Sequence, residues 1–120
     1  MITVYGIPNC DSVKKARAWL AERQVAYVFH DFKKQGVRRE LLAKWSAAAG
    51  WERLLNRQGQ TWRKLDAAEQ ARAVDAPSAC ALMQLHTSLV KRPVIDWGGA
   101  ALTVGWQPEA FEAALAKALT

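Results

Sequence analysis

The sequence predicts a single α/β domain with a mixed four-stranded sheet and a helical insertion. Three patterns predict it: a strand–helix–strand order over residues 2–30, an insertion at about 38–90 without strand candidates, and two strands and a helix at the end. With 120 residues, 51% of them hydrophobic, the chain has the length of one domain and enough apolar residues for a core. We therefore expect one domain over residues 1–120.

The first strand–helix–strand unit is predicted by a change of periodicity. Residues 2–5 alternate and are β-branched or aromatic, which is typical of a strand. Residues 11–22 have helical spacing, and Asp11 and Ser12 lie in the first turn, where short polar side chains satisfy free N–H groups. Residues 25–30 are almost continuously apolar, which predicts a strand buried on both faces beside a parallel neighbour.

The middle of the chain is predicted to be helical. A first helix containing Trp45 stops at Gly50, and no Gly/Ser/Pro-rich linker bounds the span. The span is therefore expected to be an insertion rather than a second domain. Further helices are expected at residues 51–55, 65–73 and 78–89, with a polar turn at 56–60.

The end of the chain predicts a hairpin and a closing helix. Residues 94–96 and 101–104 are strand candidates joined by a Gly98-Gly99 turn. A helix over residues 108–119 follows, with its buried face expected at Phe111, Leu115 and Ala118. The complete order, β-α-β, helices, β-β-α, is that of a thioredoxin-like fold with a helical insert.

Composition and charge exclude several classes of protein. No run approaches the ~18 continuous apolar residues of a membrane span, and the strand-like residues 2–5 follow Met1 directly, so we expect neither a membrane span nor a signal peptide. Two cysteines are too few for a disulfide scaffold and show no zinc spacing, so we expect reduced thiols, a cytoplasmic protein and no metal. The net charge of +6 is scattered rather than gathered in a stripe, which disfavours nucleic-acid binding.

Cys10 is the candidate catalytic residue. It ends the loop after the first strand, where the N-terminus of the following helix stabilises a thiolate over a thiol. Because the thiolate is the nucleophile, this position favours reactivity. The segment lacks a Cys-x-x-Cys motif, so an outside thiol or Cys80 must release any mixed disulfide. Cys80 lies in an apolar helical run, which is typical of a packed core thiol.

Several short motifs follow one another in an order that resembles one family. Residues 5–20 (YGIPNCDSVKKARAWL) are similar to the N-terminus of the ArsC/Spx, arsenate reductase-related family, most closely its YffB-type branch. The resemblance implies a thioredoxin-like fold and a single nucleophilic cysteine, which Cys10 matches. It continues through residues 50–57 (GWERLLNR), 61–65 (TWRKL), 91–94 (KRPV) and 104–106 (VGW).

The resemblance also implies binding residues. The family places an arginine before a cis-proline that faces the cysteine, and Arg92 and Pro93 match this pair. Arg92 would supply a permanent cation whose planar guanidinium can donate two parallel hydrogen bonds to a carboxylate or oxyanion. Arg57 matches a second arginine, which holds the oxyanion in arsenate reductases. The other residues expected to line the sulfur are Asn9, Asp11 and Ser12.

The arsenate reductases of the family use a third arginine shortly before the final helix. The matching segment here, residues 104–107 (VGWQ), contains no arginine. Losing one of three charge-assisted contacts weakens binding of a doubly charged oxyanion by about 1.5–3 kcal/mol. This departure argues against arsenate as the substrate.

The leading hypothesis is a glutathione-dependent monothiol reductase in which Cys10 accepts glutathione in a mixed disulfide. It implies glutathione or another small thiol as co-substrate, no tightly bound cofactor, and glutaredoxin or an oxidised protein as candidate partners. Two alternatives stay open. One is arsenate reduction coupled to glutathione and glutaredoxin. The other is a non-enzymatic role like that of the Spx regulators, which bind RNA polymerase and use a Cys-x-x-Cys switch.

Overall fold

The computed structural model describes residues 1–99 and 101–120, in which four strands form one mixed sheet. The order across the sheet is β2-β1-β3-β4; β1 and β2 are parallel, and the other two pairs are antiparallel. The predicted thioredoxin-like α/β fold is confirmed. The strands are β1 (Ile2–Gly6), β2 (Tyr27–Asp31), β3 (Val94–Asp96) and β4 (Leu102–Val104).

The chain divides into two compact units. The sheet unit comprises residues 1–35 and 92–120, and the helical unit comprises residues 36–91, which include the predicted insertion. The helices are α1 (Asp11–Glu22), α2 (Phe32–Gln35), α3 (Arg39–Ala49), α4 (Trp51–Leu54), α5 (Gln60–Lys64), α6 (Ala67–Ala71), α7 (Ala76–Leu85) and α8 (Pro108–Ala118), with a 3-10 turn at Thr87–Leu89. No helix among the described residues is both long and apolar enough to cross a bilayer.

An aromatic cluster forms the core of the sheet unit. The ring of Phe111, on α8, lies 5.5 Å from each of Trp19 and Trp97. Phe111 has no exposed surface, and Trp97 is 1% exposed. The predicted buried face of α8 needs a correction, because Ala114 is buried and Ala118 is exposed. Ala118 is the last residue of the helix, two turns beyond the aromatic rings that cover Phe111.

The second strand differs from its prediction. It begins at Tyr27, and as an edge strand it leaves Val28 50% exposed, so the expectation of burial on both faces was wrong. Part of its surface is covered by Arg17 of α1, whose guanidinium lies 4.2 Å from the centre of the Phe29 ring. Arg17 Nε also donates to the hydroxyl of Tyr27 at 2.9 Å. This cation–π contact and hydrogen bond cover part of the aromatic surface of the edge strand.

The predicted hairpin turn is confirmed. Gly98 and Gly99 have φ of 79° and 89°, a region that L side chains rarely adopt. Both of their N–H groups donate to the carboxylate of Asp96, at 3.0 and 3.1 Å. The turn therefore needs both glycines and the preceding aspartate.

The helical unit follows the predicted pattern with shorter elements. The predicted helix over residues 78–89 is α7 followed by the 3-10 turn, and that over 65–73 is reduced to α6. The four-residue α2 and five-residue α5 were missed, because helices this short show no usable periodicity. Two segments of the unit are joined by an isolated antiparallel bridge between Leu55 and Val90, both of which are buried.

Asp75 at the start of α7 makes a pH-dependent contribution to stability. It caps the helix through Ser78, whose N–H donates to the carboxylate at 2.9 Å and whose hydroxyl donates at 2.7 Å. These hydrogen bonds lower the pKa of Asp75 below its ordinary 3.8. Because folding lowers this pKa, the ionised carboxylate stabilises the folded state. The stabilisation is fully present at pH values above the pKa of the unfolded state, and it is lost as the pH falls through the pKa of the folded state.

We expect Asp75→Ala to lower the melting temperature at neutral pH, because it removes the cap. Asp75→Asn is the matched control, since it keeps an acceptor oxygen without a titrating charge. The difference in melting temperature between wild type and Asp75→Asn should shrink as the pH is lowered to about 3. Thermal melts followed by circular dichroism across this range test it, and a difference that stays constant would contradict it.

Candidate active site

Cys10 lies at the N-cap of α1, at the end of the loop that follows β1. Its carbonyl accepts the first helical hydrogen bond from Lys14 N–H at 2.9 Å, whereas its side chain makes no capping hydrogen bond. The residue is partly exposed and is not in a disulfide. A thiol in this position lies beside unpaired N–H groups of the helix and is open to a reaction partner.

Gly6 allows the loop to bring Cys10 to the helix. A Cβ at Gly6 would lie 2.7 Å from Cγ2 of Val13, a buried residue in the first turns of α1. Only a residue without a side chain lets the end of β1 approach the helix this closely. The glycine four residues before the cysteine is therefore a packing requirement of the site.

Arg92 and Pro93 lie at the same edge of the sheet as the loop that ends in Cys10. Tyr5 of β1 pairs with Val94 of β3 in antiparallel register, so β3 begins where β1 ends. The Arg92–Pro93 peptide bond is cis, as the resemblance implied. The Pro93 carbonyl accepts from Gly105 N–H at 2.8 Å, which joins the start of β3 to the end of β4. The backbone thus gathers these segments at one edge, where open α/β sheets bind ligands.

The guanidinium of Arg92 has an unused donor. Its Nε is buried and has no hydrogen-bond partner among the described residues. A buried donor without a partner is costly, and the great majority of such groups in proteins are paired. Arg92 as a whole is half-buried, so the accessible part of its side chain can meet an anionic ligand at this edge of the sheet.

The other residues predicted to line the sulfur surround the start of α1. Asn9 and Asp11 are exposed, and Ser12 is half-buried. Asn9 Oδ1 accepts from Lys14 Nζ at 3.5 Å, so this lysine is turned toward the loop. The carboxylate of Asp11 lies in the first turn of α1, where a negative charge interacts favourably with the helix N-terminus.

Tyr5 is a polar residue near the loop that the sequence did not single out. Burial raises the pKa of its phenol, the carboxylate of Asp96 raises it further, and a hydrogen bond with Thr3 lowers it. The phenol therefore stays protonated around neutral pH. Asp96 is far away in sequence and reaches Tyr5 only through the pairing of β1 with β3, so no local pattern could have indicated this.

Arg57 lies in the helical unit, in contact with aromatic rings. Its guanidinium carbon is 5.4 Å from the ring centre of Trp51 and 5.9 Å from that of Trp62, within the range of cation–π interactions. Its side chain is exposed. The role in anion binding that the resemblance implies for Arg57 stays a prediction.

Cys80 is confirmed as a packed thiol. It is 2% exposed, and its sulfur lies 3.2 Å from the hydroxyl of Ser46 inside the helical unit. Among residues 1–99 and 101–120, no group of His, Cys, Asp and Glu side chains is arranged to hold a metal ion. Cys10 is thus the accessible thiol of the chain.

Comparison with known proteins extends the likeness over nearly the whole chain. The model of the ArsC family matches residues 5–114. A solved YffB protein is 49% identical, with a TM-score of 0.91 over 96% of this chain and 99% of that one. A solved arsenate reductase (ArsC) related protein from Brucella melitensis is 47% identical, with a TM-score of 0.71 over 93% and 92%. The global transcriptional regulator Spx of Streptococcus agalactiae is 33% identical over 79% of this chain and 69% of its own length.

Proposed function

The chain belongs to the ArsC family, and from this premise we propose that it is a glutathione-dependent monothiol reductase whose nucleophile is Cys10. The observation that carries the proposal is a partly exposed cysteine at a helix N-cap with Val13, not a second cysteine, three residues later. The other cysteine is buried against Ser46 and is not available for exchange with small thiols.

The proposed reaction is a two-step thiol–disulfide exchange. The Cys10 thiolate attacks the glutathione sulfur of a protein–glutathione mixed disulfide; that S–S bond breaks, a Cys10–glutathione disulfide forms, and the substrate leaves as a thiolate. A glutathione thiolate then attacks the Cys10-bound glutathione, which releases oxidised glutathione and regenerates the Cys10 thiolate. The substrate disulfide is reduced, and two glutathione sulfurs end in a disulfide. Regeneration by glutathione requires a reducing compartment, which for this proposal is the cytoplasm.

Arg92 is proposed to hold a carboxylate of glutathione. Arg92 is half-buried at the edge of the sheet that also carries the Cys10 loop, and its guanidinium is a permanent cation with which a carboxylate can pair. Asn9 and the N–H groups at the start of α1 would line the sulfur, with Pro93 beside Arg92. Arg57 is a second cation that the resemblance assigns to anion binding.

Arsenate reduction is not favoured. The third arginine of arsenate reductases corresponds here to the segment that contains Trp106, whose ring packs edge-on against Phe111 at 5.4 Å. Gln107, the next residue, is uncharged and precedes α8. The position therefore serves packing and helix initiation and offers no cation to a doubly charged oxyanion.

Incubation with oxidised glutathione tests the proposal. We expect one glutathione per chain, mapped by peptide mass spectrometry to Cys10, because Cys80 is shielded from solvent. Cys80→Ser should form the adduct as wild type does, and Cys10→Ser should form none. An adduct on Cys80 alone, or no adduct on the native protein, would refute the proposal.

A regulatory role is the second candidate, because the Spx regulator of Streptococcus agalactiae is 33% identical to this chain over 79% of its residues. In that case the chain would act by binding RNA polymerase. Purification from a cell extract separates the two functions: polymerase subunits recovered equally with wild type and with Cys10→Ser would favour the regulator. Recovery of mixed disulfides that depend on Cys10 would favour the reductase.

A further inference from the structure

A cleft in the helical unit gathers three cations that form no ion pair within residues 1–99 and 101–120. It has a volume of about 220 Å³ and lies where α4 ends and the chain returns along Val90 and Lys91. We propose that this cleft is a docking site for an acidic segment of a protein partner. Its lining residues are Glu52, Arg53, Leu55, Asn56, Arg57, Gln58 and Lys91.

The charge of the cleft is the first argument. Three of its lining residues are cations, Arg53, Arg57 and Lys91, against the single carboxylate of Glu52. All three cations are exposed, and none forms an ion pair or a side-chain hydrogen bond within residues 1–99 and 101–120. Unpaired cations that share one concave surface favour anionic partners and accelerate their association.

The second argument is that the cleft is held in shape before any ligand arrives. Lys91 N–H donates to the carbonyl of Leu54 at 2.8 Å, and Asn56 N–H donates to the carbonyl of Leu89 at 2.7 Å. These bonds join the segment that carries Arg53 and Arg57 to the one that carries Lys91. Leu54 and Leu89, whose carbonyls accept these hydrogen bonds, have no exposed surface, so both bonds are anchored in the core of the helical unit. Preorganisation lowers the entropy lost on binding.

The third argument is the placement of Arg57. Its guanidinium lies within cation–π range of the rings of Trp51 and Trp62, at 5.4 and 5.9 Å, and contact with two rings limits the positions that this long side chain takes. A planar carboxylate pairs with a guanidinium through two parallel hydrogen bonds. The aromatic contacts therefore help to hold an exposed cation at the cleft.

The size and chemistry of the cleft indicate the occupant. Its volume is below the ~300–1,000 Å³ of pockets that enclose small-molecule ligands, so it fits one or two side chains. The cations come from two separate segments, which suits successive Asp and Glu side chains better than a single compact anion. The exposed amide of Gln58 is available to the backbone of such a segment.

Fluorescence anisotropy with a labelled peptide of alternating Glu and Asp tests the proposal on the full chain at low salt. We expect saturable binding that weakens as salt is raised. Lys91→Gln and Arg53→Gln should each weaken binding about fivefold, because each removes one charge–charge contact. Both side chains are exposed and unpaired, so these variants are expected to fold normally.

Arg63→Gln is the matched control, since Arg63 is an exposed cation of α5 that does not line the cleft. Its binding should equal that of wild type. If Arg63→Gln weakened peptide binding as much as Lys91→Gln, the peptide would be attracted by the general surface charge, and the proposal would be overturned. Displacement of the peptide by inorganic phosphate at equal concentration would also overturn it. Prior alkylation of Cys10 should leave binding unchanged, because Cys10 does not line the cleft. Arg57 is shared with the proposed glutathione site, and Lys91→Gln and Arg53→Gln leave it in place, so failure of peptide binding is distinguishable from failure of the reductase proposal.

Discussion

Replacement of Cys10 by serine is expected to reduce the rate of thiol–disulfide exchange more than about 100-fold, to the level of the reaction without protein. A serine hydroxyl is not ionised near neutral pH and forms no disulfide, so it cannot accept glutathione. The geometry of the site should be preserved, because the Cys10 side chain makes no capping hydrogen bond that the substitution could break. The loss would therefore report on chemistry rather than on folding.

The measurement is the glutathione-dependent reduction of a small mixed disulfide, coupled to glutathione reductase and followed by consumption of its reduced nicotinamide cofactor. Cys80→Ser is the matched control. It removes the other sulfur at a site where Ser46 can hydrogen-bond the new hydroxyl, and its rate should be close to that of wild type. A Cys10→Ser protein that keeps more than about a tenth of the activity would show that the accessible cysteine is not the nucleophile.

Replacement of Phe111 by alanine is expected to lower the free energy of unfolding by about 3–5 kcal/mol. The ring is fully buried and contacts three tryptophan rings, with centroid distances of 5.5 Å to Trp19, 5.5 Å to Trp97 and 5.4 Å to Trp106. Its removal leaves a cavity that three rigid side chains cannot easily fill. Since a domain of this size has a total stability of roughly 5–15 kcal/mol, this is a large fraction of it.

Urea denaturation followed by tryptophan fluorescence gives the value directly. Phe111→Leu is the conservative comparison and should cost less than about 1.5 kcal/mol, because it keeps most of the apolar volume. If the alanine variant lost no more stability than the leucine variant, the aromatic cluster would not be the main core of the sheet unit. The far-ultraviolet circular dichroism of each variant should be recorded first, to show that both fold.

The boundaries of α1 could be predicted to the residue, and the position of Cys10 with them. The signals are local: alternation in β1, a change to helical spacing at Asp11, and short polar side chains in the first turn. The burial of Cys80 followed in the same way from the apolar run around it. Neighbouring residues along the chain carry all of this information.

Other features depend on residues that meet only in the folded chain. The exposure of Val28 follows from the edge position of β2, and sheet order is not encoded in the strand that it affects. The covered part of α8 depends on where Trp19 and Trp97 place their rings. The apolar composition of these segments predicted that they are strand and helix, but it could not say which of their faces the rest of the unit covers.

The sequence by itself determined the α/β class, the order of the strands along the chain and the position of Cys10 at the start of α1, because periodicity and helix capping act within a few residues. Only the tertiary structure decided that Arg92 holds an unpaired donor and that Lys91 shares a cleft with Arg53 and Arg57. Both depend on hydrogen bonds and pairings between segments tens of residues apart, such as Leu55 with Val90. The geometry that joins distant segments is set by packing the whole unit, which no local pattern specifies.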